Sequence, residues 1–72
     1  MKIMVNNLEA EMKRIGVTRQ DIARLLGLTY RTIHSRFSGV SEWRYCECVK
    51  IRNTYFPGME LEYLFTAENK ID

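Results

Sequence analysis

The sequence predicts an all-α fold: a compact five-helix bundle around one core, with two of the helices joined as a helix-turn-helix. Three observations predict it. Apolar residues recur at helical spacing from Leu8 to Phe65. Helix-stopping residues at Gly16, Gly27, Gly39 and Pro57-Gly58 divide the chain into short segments. Strand-like alternation is nearly absent, so no sheet is expected. Met1–Val5 is the one candidate for an extended segment, and it can either pair with a partner chain or simply cover the core.

The first helix opens at Asn6, where Asn6 and Glu9 have the spacing of a capping box, and ends at Gly16. Leu8, Met12 and Ile15 form its apolar stripe. Val17 links it to the second helix, for which Thr18 is the cap and Asp21 the answering acid. Asp21 also places negative charge in the first turn, where the helix dipole favours it. Ile22, Ala23 and Leu26 share one face, and the small Ala23 lets the next helix cross closely. Gly27 ends this helix because it accepts a left-handed backbone.

Thr29 caps the third helix, which runs to about Phe37 and stops at Ser38-Gly39. At roughly 100° per residue, Ile33 and Phe37 lie about 40° apart and face the core with Leu28. Arg31 and Ser35 point nearly opposite, His34 lies on one flank and Tyr30 on the boundary. Such a bare polar face on a short supported helix fits the major groove of double-stranded DNA.

A fourth helix is expected from about Trp43 to Tyr55, with Tyr45, Cys48, Val49 and Arg52 inward and Ile51 and Tyr55 on one border. Trp43 suits a core or hinge position at its start better than a stacking role on nucleic acid. Glu60–Phe65 forms a short fifth helix with Leu61, Leu64 and Phe65 available for packing. The polar tail 66–72 is expected to fray.

The whole set resembles the helix-turn-helix of phage repressor/Cro-type transcriptional regulators (the XRE-like family). The resemblance rests on Ala23, Gly27 and Ile33 with Leu26 and Leu28 around the glycine. It continues through Gly39, Val49-Lys50-Ile51 and Leu61–Phe65, and covers about residues 6–66. Many members carry an aliphatic residue three positions after the Ile. Here Arg36 stands there, and Phe37 follows it. The resemblance implies a lambda-repressor-like DNA-binding domain acting as a repressor from a phage or prophage, a homodimer on paired half-sites of a double-stranded DNA operator.

Each candidate contact has its own chemistry. Tyr30, Arg31, His34 and Ser35 are the base-reading set, with Arg31 suited to a bidentate pair on guanine. Arg19, Gln20, Thr29, Arg36, Ser38, Ser41 and Arg44 are the expected phosphate contacts. For dimerisation, Phe56, Leu61, Tyr63 and Phe65 are the apolar C-terminal candidates.

Charge supports the same partner. The net +2 conceals Lys13, Arg14, Arg19, Arg24, Arg31 and Arg36 set against Asp21 alone in residues 13–36, while both flanks are net negative. No acid occurs between residues 22 and 41, so Arg31 has no neighbouring counter-ion in sequence. A second use of the same fold, as a scaffold for protein contacts, would rely on the C-terminal segment instead.

Other classes find little support. Seventy-two residues make a single domain (1–72), which buries about 60% of its unfolded surface and carries roughly 4–11 kcal/mol of stability. One histidine, no Gly-rich phosphate loop and no paired acid and base argue against an enzyme. Cys46 and Cys48 are two apart on a helix and point away from each other. They are expected as free thiols, Cys48 in the core, with no metal and no cofactor. No apolar run reaches membrane-spanning length and Met1–Val5 is too short for a signal peptide, so a cytoplasmic chain without a membrane or small-molecule partner is expected.

Overall fold

In the computed structural model, which describes residues 3–67, the chain runs β1 (Ile3–Met4), α1 (Asn6–Ile15), α2 (Arg19–Leu26), α3 (Tyr30–Ser38), α4 (Tyr45–Tyr55), α5 (Leu61–Leu64) and β2 (Thr66–Ala67). The expected five helices are all present. Leu8, Ile22, Ile33, Ile51 and Leu64, one from each helix, are fully buried. Each contributes about 1.5–3 kcal/mol by leaving water. Met12, Ala23, Phe37, Cys48, Phe56 and Phe65 complete the core around them.

The strands correct the sheet-free expectation. Ile3 pairs with Ala67 and Met4 with Thr66 in an antiparallel ribbon. The N-terminal segment therefore pairs with this chain's own C-terminal stretch, and Val5 drops into the core beside it. Of the tail expected to fray, residues 66 and 67 are paired, and residues 68–72 lie outside the described residues. The ribbon adjoins a side-chain clasp between α1 and α5. Asn7 Nδ2 donates to the Tyr63 carbonyl at 2.9 Å and the Tyr63 hydroxyl donates to Glu11 Oε2 at 3.0 Å.

α1 differs from its expected start. Val5, not Asn6, is the N-cap residue, and it makes no side-chain cap. Glu9 is engaged elsewhere, by Arg19, and so closes no capping box. Ile15, expected in the apolar stripe, is 43% exposed. Leu8 and Met12 are the residues that helix buries.

The α2–α3 corner forms as its residues dictate. The Asp21 amide donates to Thr18 Oγ1, and the Thr18 amide donates to Asp21 Oδ2. Those bonds from the Thr18 amide and hydroxyl hold the Asp21 carboxyl below its usual value. Gly27 closes the helix at φ +69°, and a Cβ there would meet nothing within 4 Å. Its left-handed backbone, rather than crowding, is what calls for glycine. Ala23, on α2, is buried.

α4 departs most from expectation. It starts at Tyr45, and its inner residues are Glu47, Cys48 and Ile51. Tyr45, expected inward, is 76% exposed, while Val49 and Arg52 are half-buried. The helix is turned to bring an acid inside. Glu47 accepts Arg36 Nε and Nη2, both at 3.1 Å, and the Arg44 backbone N–H at 3.0 Å. Burial alone pushes the Glu47 carboxyl up. The fork from Arg36, the Arg44 amide and both guanidinium charges outweigh it, and the carboxyl sits below its ordinary 4.5.

Trp43 precedes α4, half-buried and packed against the core, its ring edge-on to Phe37 at 5.1 Å and to Phe65 at 5.3 Å. Phe56 and Phe65, expected as surface for a partner, are core residues; Tyr63 remains 44% exposed. Burial pushes the Cys48 thiol up to about 12, so it is an inert core residue, and Cys46 is an exposed free thiol. Between β1, α4 and α5 runs an apolar groove of about 310 Å³ bordered by Trp43, Tyr45, Leu61 and Phe65.

Removing Glu47 strands a nearly buried guanidinium, so Glu47→Ala should lower unfolding free energy by about 3 kcal/mol, read by urea denaturation at pH 7. The folded carboxyl titrates below 4.5, so its contribution is fully present above that pH and fades as pH falls through the folded value. The stability gap between the natural chain and Glu47→Gln should therefore shrink in acid. A gap unchanged between pH 7 and 3 contradicts this assignment.

Candidate nucleic-acid interface

α3 is held from within and left open outside. Ile33 is fully buried and Phe37 nearly so, both on its inner side. Thr29 caps it, its hydroxyl accepting the Thr32 amide at 3.2 Å and meeting the Thr32 hydroxyl at 3.0 Å. The far end closes at Gly39 with φ +86°, and the Ser35 carbonyl accepts the amides of Val40 and Ser41 at 3.0 and 3.2 Å. The Ser38 hydroxyl donates to the same carbonyl. This small knot fixes where Ser38 and Ser41 leave the helix.

On the outer side, Tyr30, Arg31 and His34 are exposed and Ser35 is half-exposed. The Tyr30 and His34 rings stack, their centroids 6.4 Å apart and their planes 24° from parallel. Arg31 has no ion-pair partner among the described residues. No acid occupies the first turn of α3, so the positive end of its dipole is uncompensated. The structure thus gathers the four sequence-derived base-reading candidates on one accessible surface.

The phosphate candidates divide. Gln20, Thr29, Ser38 and Arg44 are exposed and Ser41 is half-exposed. Arg36 is the correction. Its side chain is only 12% exposed and its fork is committed to Glu47. The position three after Ile33 is thus filled by a charge paired inside the fold.

Arg19 is also largely engaged. Its Nη2 donates to Glu9 Oε2 at 2.7 Å, its Nη1 lies 3.1 Å from His34 Nδ1, and its guanidinium carbon sits 4.7 Å above the Phe37 ring. It joins α1, α2 and α3 at one point. Glu9, Thr32 and Glu47 thus shape the site without having been singled out from sequence. Glu9 had the spacing of a cap, and Glu47 stands 11 residues from the arginine it meets. No local pattern announces either pairing.

The groups able to bind here are donors and cations, with two hydroxyls and aromatic faces beside them. That set suits an anion or a base edge and lacks the clustered ligands of a metal site: among the described residues no group of three or more His, Cys, Asp and Glu side chains comes together.

No family model matches the chain, and no curated protein does. Among solved structures the chain is similar to a transcriptional regulator from Listeria innocua, with a TM-score of 0.72 at 18% identity, covering 99% of this chain and 65% of that one. The chain therefore spans about two thirds of that protein's length. At this identity the likeness establishes the fold alone, a compact helical bundle.

Because Arg31 is exposed and makes no ion pair among the described residues, Arg31→Ala should change unfolding free energy by less than about 0.5 kcal/mol, measured by denaturation. A larger loss would mean that the side chain supports the bundle.

Proposed function

We propose that this chain binds double-stranded DNA with sequence preference, laying α3 in the major groove, and that it works as a transcriptional regulator. The observation that carries the proposal is the outer face of α3: Tyr30, Arg31 and His34 exposed, and Arg31 without an ion-pair partner among the described residues. A charged side chain on a rigid exposed helix, with the helix anchored by Ile33 and Phe37, is arranged to reach base edges. The likeness to a solved transcriptional regulator supports the same use.

In this account Arg31 donates in bidentate fashion to guanine, and Tyr30, Ser35 and the His34 ring, whose Nδ1 is taken by Arg19, contact adjacent edges. Thr29, Gln20, Ser38, Ser41 and Arg44 hold the backbone on both sides of the groove, where the uncompensated N-terminus of α3 also favours phosphate. The finer role is that of a phage- or prophage-type repressor, which occupies an operator as a dimer. Its two recognition helices would meet half-sites about one helical turn, ~34 Å, apart. Such a chain acts in the cytoplasm. Among the described residues no helix is long and apolar enough to cross a membrane.

Selection from a random duplex pool, followed by titration at several salt concentrations, tests the proposal. A single consensus should emerge and affinity should fall steeply with salt. Arg31→Ala should lose about 1–3 kcal/mol of discrimination at one position. Equal affinity for unrelated duplexes would overturn sequence-specific binding.

A further inference from the structure

We infer that Arg19 is a positioning residue for His34: it fixes the imidazole as a hydrogen-bond donor at Nε2 and so selects a base that offers an acceptor in the major groove. The inference rests on the DNA-binding proposal above and assigns Arg19 a task other than phosphate contact.

The chemistry is constrained. A guanidinium has five N–H donors and no acceptor. With Arg19 Nη1 at 3.1 Å from His34 Nδ1, Nδ1 must supply a lone pair. The ring is then neutral, with its proton on Nε2. A protonated imidazole carries hydrogens on both nitrogens and could not accept this bond.

The donor is itself held. Glu9 on α1 takes the other terminal nitrogen at 2.7 Å, and the guanidinium lies 4.7 Å over Phe37, whose ring is part of the core. The planar fork spans an acceptor on each side, which a single ammonium cannot reproduce. Tyr30 lies one turn away on the same helix, stacked on the imidazole. The ring of His34 is exposed yet restrained by groups from α1, α2 and α3.

An Nε2–H on this exposed ring carries sequence information. It matches the acceptors at purine N7, guanine O6 and thymine O4, and it meets another donor at cytosine N4 and adenine N6. A phosphate-contacting arginine would raise affinity for every sequence alike. An arginine that aims His34 changes which base is preferred at one position. The two roles therefore predict different outcomes for the same substitution.

The test has two arms, both using the full chain and variants shown to melt cooperatively. In the free protein, long-range 1H–15N spectra report the single histidine ring directly. The natural chain should show Nε2 protonated and a hydrogen-bonded Nδ1, and Arg19→Lys should move the Nδ1 resonance toward that of free imidazole. An Nδ1 shift unaffected by Arg19→Lys overturns the bond.

In the second arm, the natural chain, Arg19→Lys and His34→Ala are each put through selection on a random duplex pool. Arg19→Lys and His34→Ala should flatten preference at the same single base position, by about tenfold, and leave other positions intact. A uniform loss of affinity in Arg19→Lys, with the salt slope reduced by about one, makes Arg19 a phosphate contact and overturns the proposal. If the natural chain selects no consensus, the base choice falls together with the DNA-binding proposal, and the ring spectra still decide the Arg19 bond.

Discussion

The architecture depends on how α3 is fastened along its inner side. Ile33 and Phe37 are sealed in the core, and Arg36 between them is locked by two bonds to Glu47. These contacts set the rotation of the helix about its own axis. Because side chains advance by about 100° per residue, fixing residues 33, 36 and 37 inward forces Arg31 outward with Tyr30 and His34 beside it. Slack in that attachment would leave the outer face without a defined direction.

The Arg36–Glu47 pair shows how a charge can serve inside a small core. A buried ion pair adds little net stability compared with well-packed apolar residues, since desolvation offsets attraction. What it adds here is registration. Glu47 accepts from both the last turn of α3 and the backbone at the start of α4, so one carboxylate sets where the second helix begins relative to the first. It also explains why α4 presents Glu47 inward and leaves Tyr45 on the surface.

Much of this was legible in the sequence. The Thr18–Asp21 box, the Thr29 cap and the glycine stops lie within a few residues of what they control, and local patterns find such features. Ile22, Ala23 and Ile33 were identifiable by periodicity. What escaped was long-range pairing. Glu9 and Glu47 lie outside the basic stretch in sequence, yet they pair across helices with Arg19 and Arg36 within it, while Glu11 takes Arg14 three residues on along α1. The raw charge of residues 13–36 therefore overstates what is available to a partner. Arg31, inside a stretch that lacks acids, has no ion-pair partner among the described residues. The two-residue strands were too short for any alternation to show. The inward turn of Phe56 and Phe65 follows from how the C-terminal segment folds back over α1 and α4, which helical spacing alone does not specify.

The same division of charges separates structural from functional surface. Arg19 and Arg36 bind neighbouring helices together and Arg14 pairs along α1, while Arg31 is presented outward. The most direct measurement is a titration of the 15N-labelled chain with a duplex chosen from a random pool, followed by backbone and side-chain shift mapping. The account predicts changes concentrated at Tyr30–Ser35 and at Ser38, Ser41 and Arg44. Changes confined to the groove bordered by Tyr45, Leu61 and Phe65, with the α3 resonances unmoved, would contradict it.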